Sequence, residues 1–421
     1  MAPEHVTRII PWYKELEGAA ENPEAFFMEE RCIYWVAILT PPTHPSRSYA
    51  IRGQFPRSRF FSLQSYISTS PVDALYDFQI NPDEGSCNPF RSGNADPSDG
   101  AHLNYEIRLV GVRSRDEIPK ERPANTLYAI SDEKNRYILL YRIYWNELAE
   151  DAAVPEDYTR RQWEKQGQKP LPQILVMTWD GVDPRPAPSG KGEGGVVGRI
   201  SPGIMARFQE SQHLSPQEKT RLLSVGCPWT IGNPYGGYAN SAVVYLQADF
   251  DDSQGEVAVC RIKSPSFPNT DAGQIIDPQH QQTRYWSFCT HIPGTIWTAA
   301  CKSDYRFVAD DDGWVTVVFS ALDKRPANAR NWLPYVWDDR HQRNGALVCY
   351  RIMVPSEETF PGSPYFYAKA CELCYPLFSA EYFQALENGP AIAHFAGAYY
   401  PRTCYCSKSD FERYGYKIID R

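Results

Sequence analysis

The sequence predicts an all-β protein with minor helices, built as two tandem jelly-roll-like β-sandwich units that arose by internal duplication. Three observations predict it. Aromatic residues make up 14% of the chain, with 27 Tyr, 19 Phe and 11 Trp beside 35 Pro and 27 Gly, the mixture expected of many short strands joined by tight turns. Apolar positions recur at period two or run continuously over short segments. Finally, a series of motifs appears twice in the same order.

The first copy, read as a unit over residues 1–150, contains the strand Cys32–Ala37, then Arg52-Gly53-Gln54-Phe55-Pro56 leading into Arg59–Leu63. The second, over residues 231–362, answers with Ala242–Gln247, then Lys263–Pro268 leading into Arg284–Phe288. The turn Asn81–Gly85 corresponds to Ala309–Gly313, Tyr105–Val110 to Val315–Ser320, Pro123–Leu127 to Ala329–Pro334, and Tyr141–Tyr144 to Tyr350–Met353. Asp312-Gly313 ahead of Trp314–Phe319 is the clearest hairpin signal, because glycine supplies the positive φ of a tight turn. Residues 151–230 read as a linker: Lys169–Pro172 and Pro184–Gly190 are extended in character, Gly190–Gly195 lacks the Lys-Ser/Thr ending of a phosphate loop, and Ser215 caps a short helix reaching Leu223. Residues 363–421 form an extension with two helical patches, the second being Ala380–Leu386, and with Cys371-x-x-Cys374 and Cys404-x-Cys406. These four cysteines are open to three readings: a zinc site, disulfides, or buried free thiols.

Several function classes fall away. A charge of -8, from 43 Lys+Arg against 51 Asp+Glu without long runs, argues against binding a nucleic-acid backbone. No segment approaches the roughly 18–20 apolar residues of a membrane-spanning helix. At 421 residues a chain buries roughly 75% of its unfolded surface and forms a core without metal or disulfide support. The start Met1-Ala2-Pro3-Glu4-His5 lacks the pattern of a signal peptide, and no Asn-x-Ser/Thr occurs. The expectation is a cytoplasmic protein, secreted or lumenal only if a signal has been removed.

Arg284-Tyr285-Trp286-Ser287-Phe288, Asp312-Gly313, Arg325-Pro326-Ala327-Asn328, Asn331-Trp332-Leu333-Pro334 and Tyr350-Arg351-Ile352 resemble a set of uncharacterised bacterial jelly-roll proteins of the "domain of unknown function" kind. That resemblance implies a fold and no chemistry. Tyr335–Arg340 departs from it, replacing a Gly-rich segment with an aromatic, charged one. In size, duplicated β architecture and aromatic content the chain is also similar to the fungal hetero-Diels-Alderases of tropolone-sesquiterpenoid pathways. That likeness implies dehydration of a tropolone to a quinone methide and its joining to a terpenoid alkene, with no residue carried over.

Hydrolase, zinc-protease, cupin and dinucleotide motifs are missing, and the eight histidines are scattered. Neither cofactor nor metal is expected. Arg142 with Arg351, and Arg59 with Arg284, occupy matching places in both copies, which favours structural ion pairs. Lys263, Tyr285, His291 and Lys302 differ from the residues near the corresponding places, Gly53, Phe60, Ser68 and Asp77, and divergence between copies is where a site can arise. These four are the candidate reacting groups: a lysine to hold an enolate or tropolonate oxygen, with His291 or Tyr285 moving a proton. Tyr235, Tyr238, Trp286, Trp332 and Arg351 are candidate binding residues around a hydrophobic aromatic or terpenoid molecule. The leading expectation is therefore a cofactor-independent lyase or cyclase of secondary metabolism. Two alternatives stand beside it: a carbohydrate- or small-ligand-binding module, which needs a solvent-facing row among Trp286, Trp314, Trp332 and Trp337, and a structural scaffold.

Overall fold

A computed structural model describes residues 5–12, 14–17, 29–44, 46–91, 102–119, 121–147, 153–178, 200–223, 229–235, 237–295 and 297–420. The Gly-rich stretch 190–195 and Cys227 lie outside the described residues.

The first half forms β1 (His5–Ile10), β2 (Lys14–Glu17), β3 (Cys32–Leu39), β4 (Arg47–Gln54), β5 (Ser58–Ile67), β6 (Ser70–Tyr76), β7 (Asn104–Val112), β8 (Thr126–Ile130), β9 (Tyr137–Trp145) and β10 (Gln173–Thr178). An inner sheet runs β2-β3-β9-β5-β6 and an outer sheet β1-β10-β4-β7-β8. The second half forms β11 (Thr230–Ile231), β12 (Val243–Asp251), β13 (Val257–Lys263), β14 (Thr283–His291), β15 (Thr298–Ser303), β16 (Trp314–Ser320), β17 (Trp332–Pro334), β18 (Val336–Asp338), β19 (Arg343–Pro355) and β20 (Arg402–Cys406). Its inner sheet runs β11-β12-β19-β14-β15, with β18 beside β19, and its outer sheet β17-β16-β13-β20. β10 comes from the stretch read as linker and β20 from the C-terminal extension, so both sandwiches recruit a strand from outside the repeated segment.

Pairing shows the duplication directly. β3, β9, β5 and β6 correspond to β12, β19, β14 and β15, and β4, β7 and β8 to β13, β16 and β17. In both units the last pair is parallel, β7 with β8 and β16 with β17, an otherwise antiparallel sheet's shared exception. One asparagine pins each crossover. Asn125 donates to the carbonyls of Asn81 (2.8 Å) and Glu106 (2.9 Å) and accepts from the Asn81 amide (2.7 Å). Asn331 does the same with Val308 (2.8 Å, both ways) and the Thr316 carbonyl (3.0 Å).

Alternation decides what each strand buries. Ile33, Trp35, Phe61, Leu63, Tyr141 and Ile143 face the first sandwich core. Cys32, Tyr34, Phe60, Tyr144 and, from the other half, Val243, Tyr285 and Met353 form a separate cluster between the two inner sheets. The inner sheets therefore pack face to face, which explains why β9 and β14 are buried at every position. A strand covered on both faces loses its polar alternation, as the continuous apolar runs anticipated.

Helices fill the flanks: α1 (Arg160–Lys165), α2 (Pro202–Gln212), α3 (Pro216–Leu223), α4 (Pro364–Cys374), α5 (Ala380–Leu386), α6 (Gly389–Ala396) and α7 (Lys408–Tyr414). The predicted capping box opens α3: the Ser215 hydroxyl accepts from the Glu218 amide at 3.2 Å while Glu218 accepts from the Ser215 amide at 2.8 Å. Where two helical patches were expected between about residues 363 and 400, three helices form, because Asn388 caps a fresh start with proline in its first turn.

The two units are clasped by reciprocal ion pairs. Arg59 of the first bonds Asp304 of the second at 2.6 Å, and Arg284 of the second bonds Asp77 of the first at 2.9 Å. Each aspartate also accepts two backbone amides, Asp77 from Phe61 (3.2 Å) and Phe78 (2.7 Å), Asp304 from Trp286 (3.2 Å) and Tyr305 (2.8 Å). All four side chains are buried. Arg142 and Arg351 match in place but not in partner: Arg351 makes the ion pair that the sequence led one to expect, whereas the bonds of Arg142 to Gln64 and Tyr238 go to neutral groups. Arg142 lies over the Tyr34 ring and bonds Gln64 and the Tyr238 carbonyl, while Arg351 lies over Tyr245 and bonds Glu29 and Cys289.

These superposed roles correct the sequence correspondence. Phe60 is the counterpart of Tyr285, but Lys302 answers Leu75, both lying opposite an equivalent residue of the preceding strand, and Asp77 answers Asp304. His291 answers Tyr66, and Lys263 answers Gln54. The offset between copies changes from strand to strand because the connecting loops differ in length.

Breaking one clasp strands a buried guanidinium, so Asp304→Ala should cost about 3–5 kcal/mol of unfolding free energy, read from urea titration. Burial pushes both aspartates from the usual 3.8 up to about 6, against the pull of their arginines and amides; Glu29 and Asp73 shift the same way, also through burial. The folded chain then holds protons that the unfolded chain releases, so stability falls as pH rises through the window from about 4 to about 6. Urea midpoints taken across that window should show the decline, and the Asp77→Asn/Asp304→Asn double variant should flatten it.

Candidate functional site

A cleft opens where α4 crosses the edge of the second inner sheet, walled by Ile231, Tyr235, Tyr245, Tyr365, Lys369 and Glu372. The local sequence dictates this arrangement. Ser363 caps α4, proline occupies its first turn, and Phe366, Tyr367, Ala368, Ala370 and Cys371 sink into the second core. Lys369 and Glu372, three residues apart, share the helix face turned to the cleft. The Lys369 ammonium donates to both Glu372 oxygens at 3.0 Å and sits 5.5 Å from the Tyr365 ring centre. The first unit completes the surroundings: Ser70 donates to the Tyr235 carbonyl at 2.9 Å, and Tyr76 of β6 lies beside Tyr365.

The electrostatics fix the protonation states. Burial alone would lower Lys369, but Glu372 and the neighbouring phenols overrule it and hold the ammonium charged. Burial, reinforced by the Glu372 charge, pushes Tyr235 up to about 12. Tyr382 is raised by the same two causes, Tyr76 by burial and then by Tyr365 and Asp73 ahead of Glu372, and Tyr365 by burial above all. The cleft thus presents a cation, a carboxylate and several protonated phenols against an apolar wall, a set able to donate to an oxygen and to accept a proton.

The candidates read from the sequence are distributed elsewhere, with one exception. Tyr235 lines the cleft. Tyr238, in the left-handed region at φ 57°, contributes its carbonyl to Arg142 and sets its ring tilted at 59° to that of Tyr66. Lys263, at the end of β13 in the outer sheet, donates to the Asp312 carbonyl of the hairpin turn. Lys302 lies on β15, bonding Asn331 at 3.0 Å and facing Phe307, and burial lowers its pKa. His291 is wholly buried, contacts the Thr298 hydroxyl at 3.1 Å, and is held neutral by burial and the Arg351 charge. Tyr285 is buried between the inner sheets near Glu29, and burial raises its hydroxyl well above the usual phenol range.

Trp286 occupies the second core, stacked on Phe307 at 4.7 Å. Trp332 donates to Ser320 at 2.9 Å beneath the Arg325 guanidinium. Arg351 is engaged with Glu29 between the units. Lys369 and Glu372 were missed because they lie outside the repeated segments, where comparing copies is blind. The available signal was a charged pair at helical spacing inside the otherwise apolar run Pro364–Cys374.

Among the described residues no His, Cys, Asp and Glu cluster has the arrangement of a metal site. Cys371 and Cys374 stand on α4 and Cys404 and Cys406 on β20, all as free thiols. A disulfide joins Cys289 and Cys301 across β14 and β15, a pairing the sequence did not single out.

Fold and cleft together define the class: an all-β protein of two packed sandwiches with minor helices. No protein-family profile and no curated protein matches the chain. Among solved structures it is similar to an uncharacterised protein from Burkholderia cenocepacia, at 15% identity over 85% of this chain and 78% of that one, with a TM-score of 0.39. It is also similar to a protein from Vibrio parahaemolyticus, at 13% identity over 80% and 89% of the two chains, with a TM-score of 0.36.

Among the free thiols described, Cys374 is the exposed one. Among these described thiols, aromatic disulfide reagents should therefore label Cys374 first in the native protein, and Cys374→Ser should remove its share of the fast phase while buried Cys32, Cys260 and Cys371 react only on unfolding.

Proposed function

We propose that the chain is a cofactor-independent lyase or cyclase acting on a hydrophobic aromatic or terpenoid small molecule, with its chemistry at the Lys369–Glu372 cleft. The observation that carries this reading is a buried, mutually bonded ammonium and carboxylate set among protonated phenols. In a dehydration, the substrate C–O bond breaks with its electron pair on oxygen. Tyr365 or Lys369 gives that oxygen a proton, water leaves, and Glu372 takes the proton lost by the substrate. Return of that proton from Glu372 to the donor resets the site. The product, a quinone methide in the finer form of the proposal, then adds to an alkene held beside it. Positioning alone can lower such a barrier by roughly 7–11 kcal/mol, with no nucleophile from the protein.

The role assigned to Lys263, His291, Lys302 and Tyr285 thus moves to Lys369, Glu372 and Tyr365, with Tyr235 kept as a wall residue. For the carbohydrate-binding alternative, Trp286 is buried, Trp314 and Trp332 are half-buried, and Trp337 alone of these four is exposed. They do not make the solvent-facing row that stacking on sugars uses.

The test incubates the protein with hydroxymethyl phenols and tropolones plus a humulene-type alkene and follows adducts by mass spectrometry. The wild-type protein should form an adduct, and Glu372→Gln should slow it about 100-fold or more, the usual contribution of a proton-transferring side chain. Unchanged turnover in Glu372→Gln, or stabilisation by sugars alone, overturns the proposal.

A further inference from the structure

Beside the cleft, the last turn of α4 and the segment leading from it to α5 expose a run of large apolar side chains. Leu373, Leu377 and Phe378 are 47%, 38% and 51% exposed, within six residues of chain. Cys374 extends the same surface and meets Met205 of α2, sulfur to sulfur, at 3.7 Å. Large apolar side chains left exposed so close together in the chain point to a place where something apolar binds. Phe378 is moreover held at φ 66°, a left-handed conformation costly for a bulky residue. Its ring packs edge-on against Tyr235, the wall of the cleft, with centroids 5.1 Å apart. The apolar rim and the Lys369–Glu372 pair are therefore continuous through one pair of rings.

The charge at the base of the cleft is already cancelled, since Lys369 donates to both oxygens of Glu372. An anionic ligand would have to displace a buried carboxylate from its partner, which is costly. A hydroxyl can instead bridge the pair, accepting from the ammonium or a phenol and donating to the carboxylate.

Resting on the cleft reading above, we infer that the ligand is a neutral amphipathic alcohol. Its hydroxyl sits at Lys369–Glu372, its apolar body lies over Phe378, Leu377 and Leu373, and Phe378 sets the size of body accepted.

Isothermal titration with benzyl alcohol, farnesol and benzoate tests it. Farnesol should bind the wild-type protein at least tenfold more tightly than benzyl alcohol, and benzoate should bind more weakly than either. Phe378→Ala should bring the two alcohols within about twofold by weakening farnesol alone, whereas Lys369→Met should weaken both. Phe378→Gly, which suits the left-handed backbone, should raise the melting temperature and reproduce the loss for farnesol, separating binding from misfolding. Benzoate binding as well as benzyl alcohol, an alcohol ratio indifferent to Phe378, or no alcohol binding at all overturns the inference. So does a wild-type dimer that Leu377→Glu converts to monomer, because the rim would then be covered by a second copy. Glu372-dependent adduct formation without alcohol binding would leave the proposed function standing while this inference fails. Alcohol binding without such turnover would do the reverse.

Discussion

Two buried arginine–aspartate pairs, each running from one sandwich to the other, turn a duplicated chain into one body. Neither pair is local: every arginine finds its carboxylate only when the opposite unit is in place. Desolvating four charged groups is expensive, and the expense is offset by geometry as well as Coulomb attraction, since each carboxylate also collects two backbone amides. An interface of this kind contributes less to raw stability than to choosing one relative placement of the sheets, because any slip leaves a charge unpaired. The aromatic cluster around Phe60, Tyr144 and Tyr285 supplies the non-directional part of the attachment.

That placement is what creates the cleft. Tyr235 is held by the hydroxyl of Ser70 in the first unit, and Tyr76 of the same unit stands beside Tyr365. The cation and carboxylate come from a helix outside both repeats. The site is thus assembled from one copy, its twin and an appended helix, and no single segment contains it.

This composition explains what the sequence made legible. Period-two patterning and ordered repeats lead to the sandwiches, to the equivalence of Arg59 with Arg284 and Arg142 with Arg351, and to the α3 cap at Ser215, because these depend on local chemistry or on comparing copies. Comparison also misled. Lys263, His291 and Lys302 drew attention as residues that differ between copies, yet they differ in answering their own surroundings: a turn carbonyl, a threonine hydroxyl and an asparagine side chain. His291 stands where the first copy has Tyr66, each beside its unit's buried arginine. Lys369 and Glu372 have no twin to be compared with, and nothing local reveals which sheet edge their helix will cover. Tyr235 was found because its aromatic cluster marks packing at a junction, whichever elements meet there.

The strand β20 carries a consequence for how the molecule comes into being. It is drawn from residues 402–406 and pairs with β13 at residues 257–261, with β16 already on the other side of β13. During synthesis, β13 and β16 can join soon after both have left the ribosome, but the free side of β13 stays an open hydrogen-bonding edge until residues 402–406 have been made. Closing it spans a long loop, which slows the step entropically and lengthens the interval in which that edge can pair with another chain. Residues 402–406 therefore act as the sheet's own protection against aggregation, arriving long after the strand they cover.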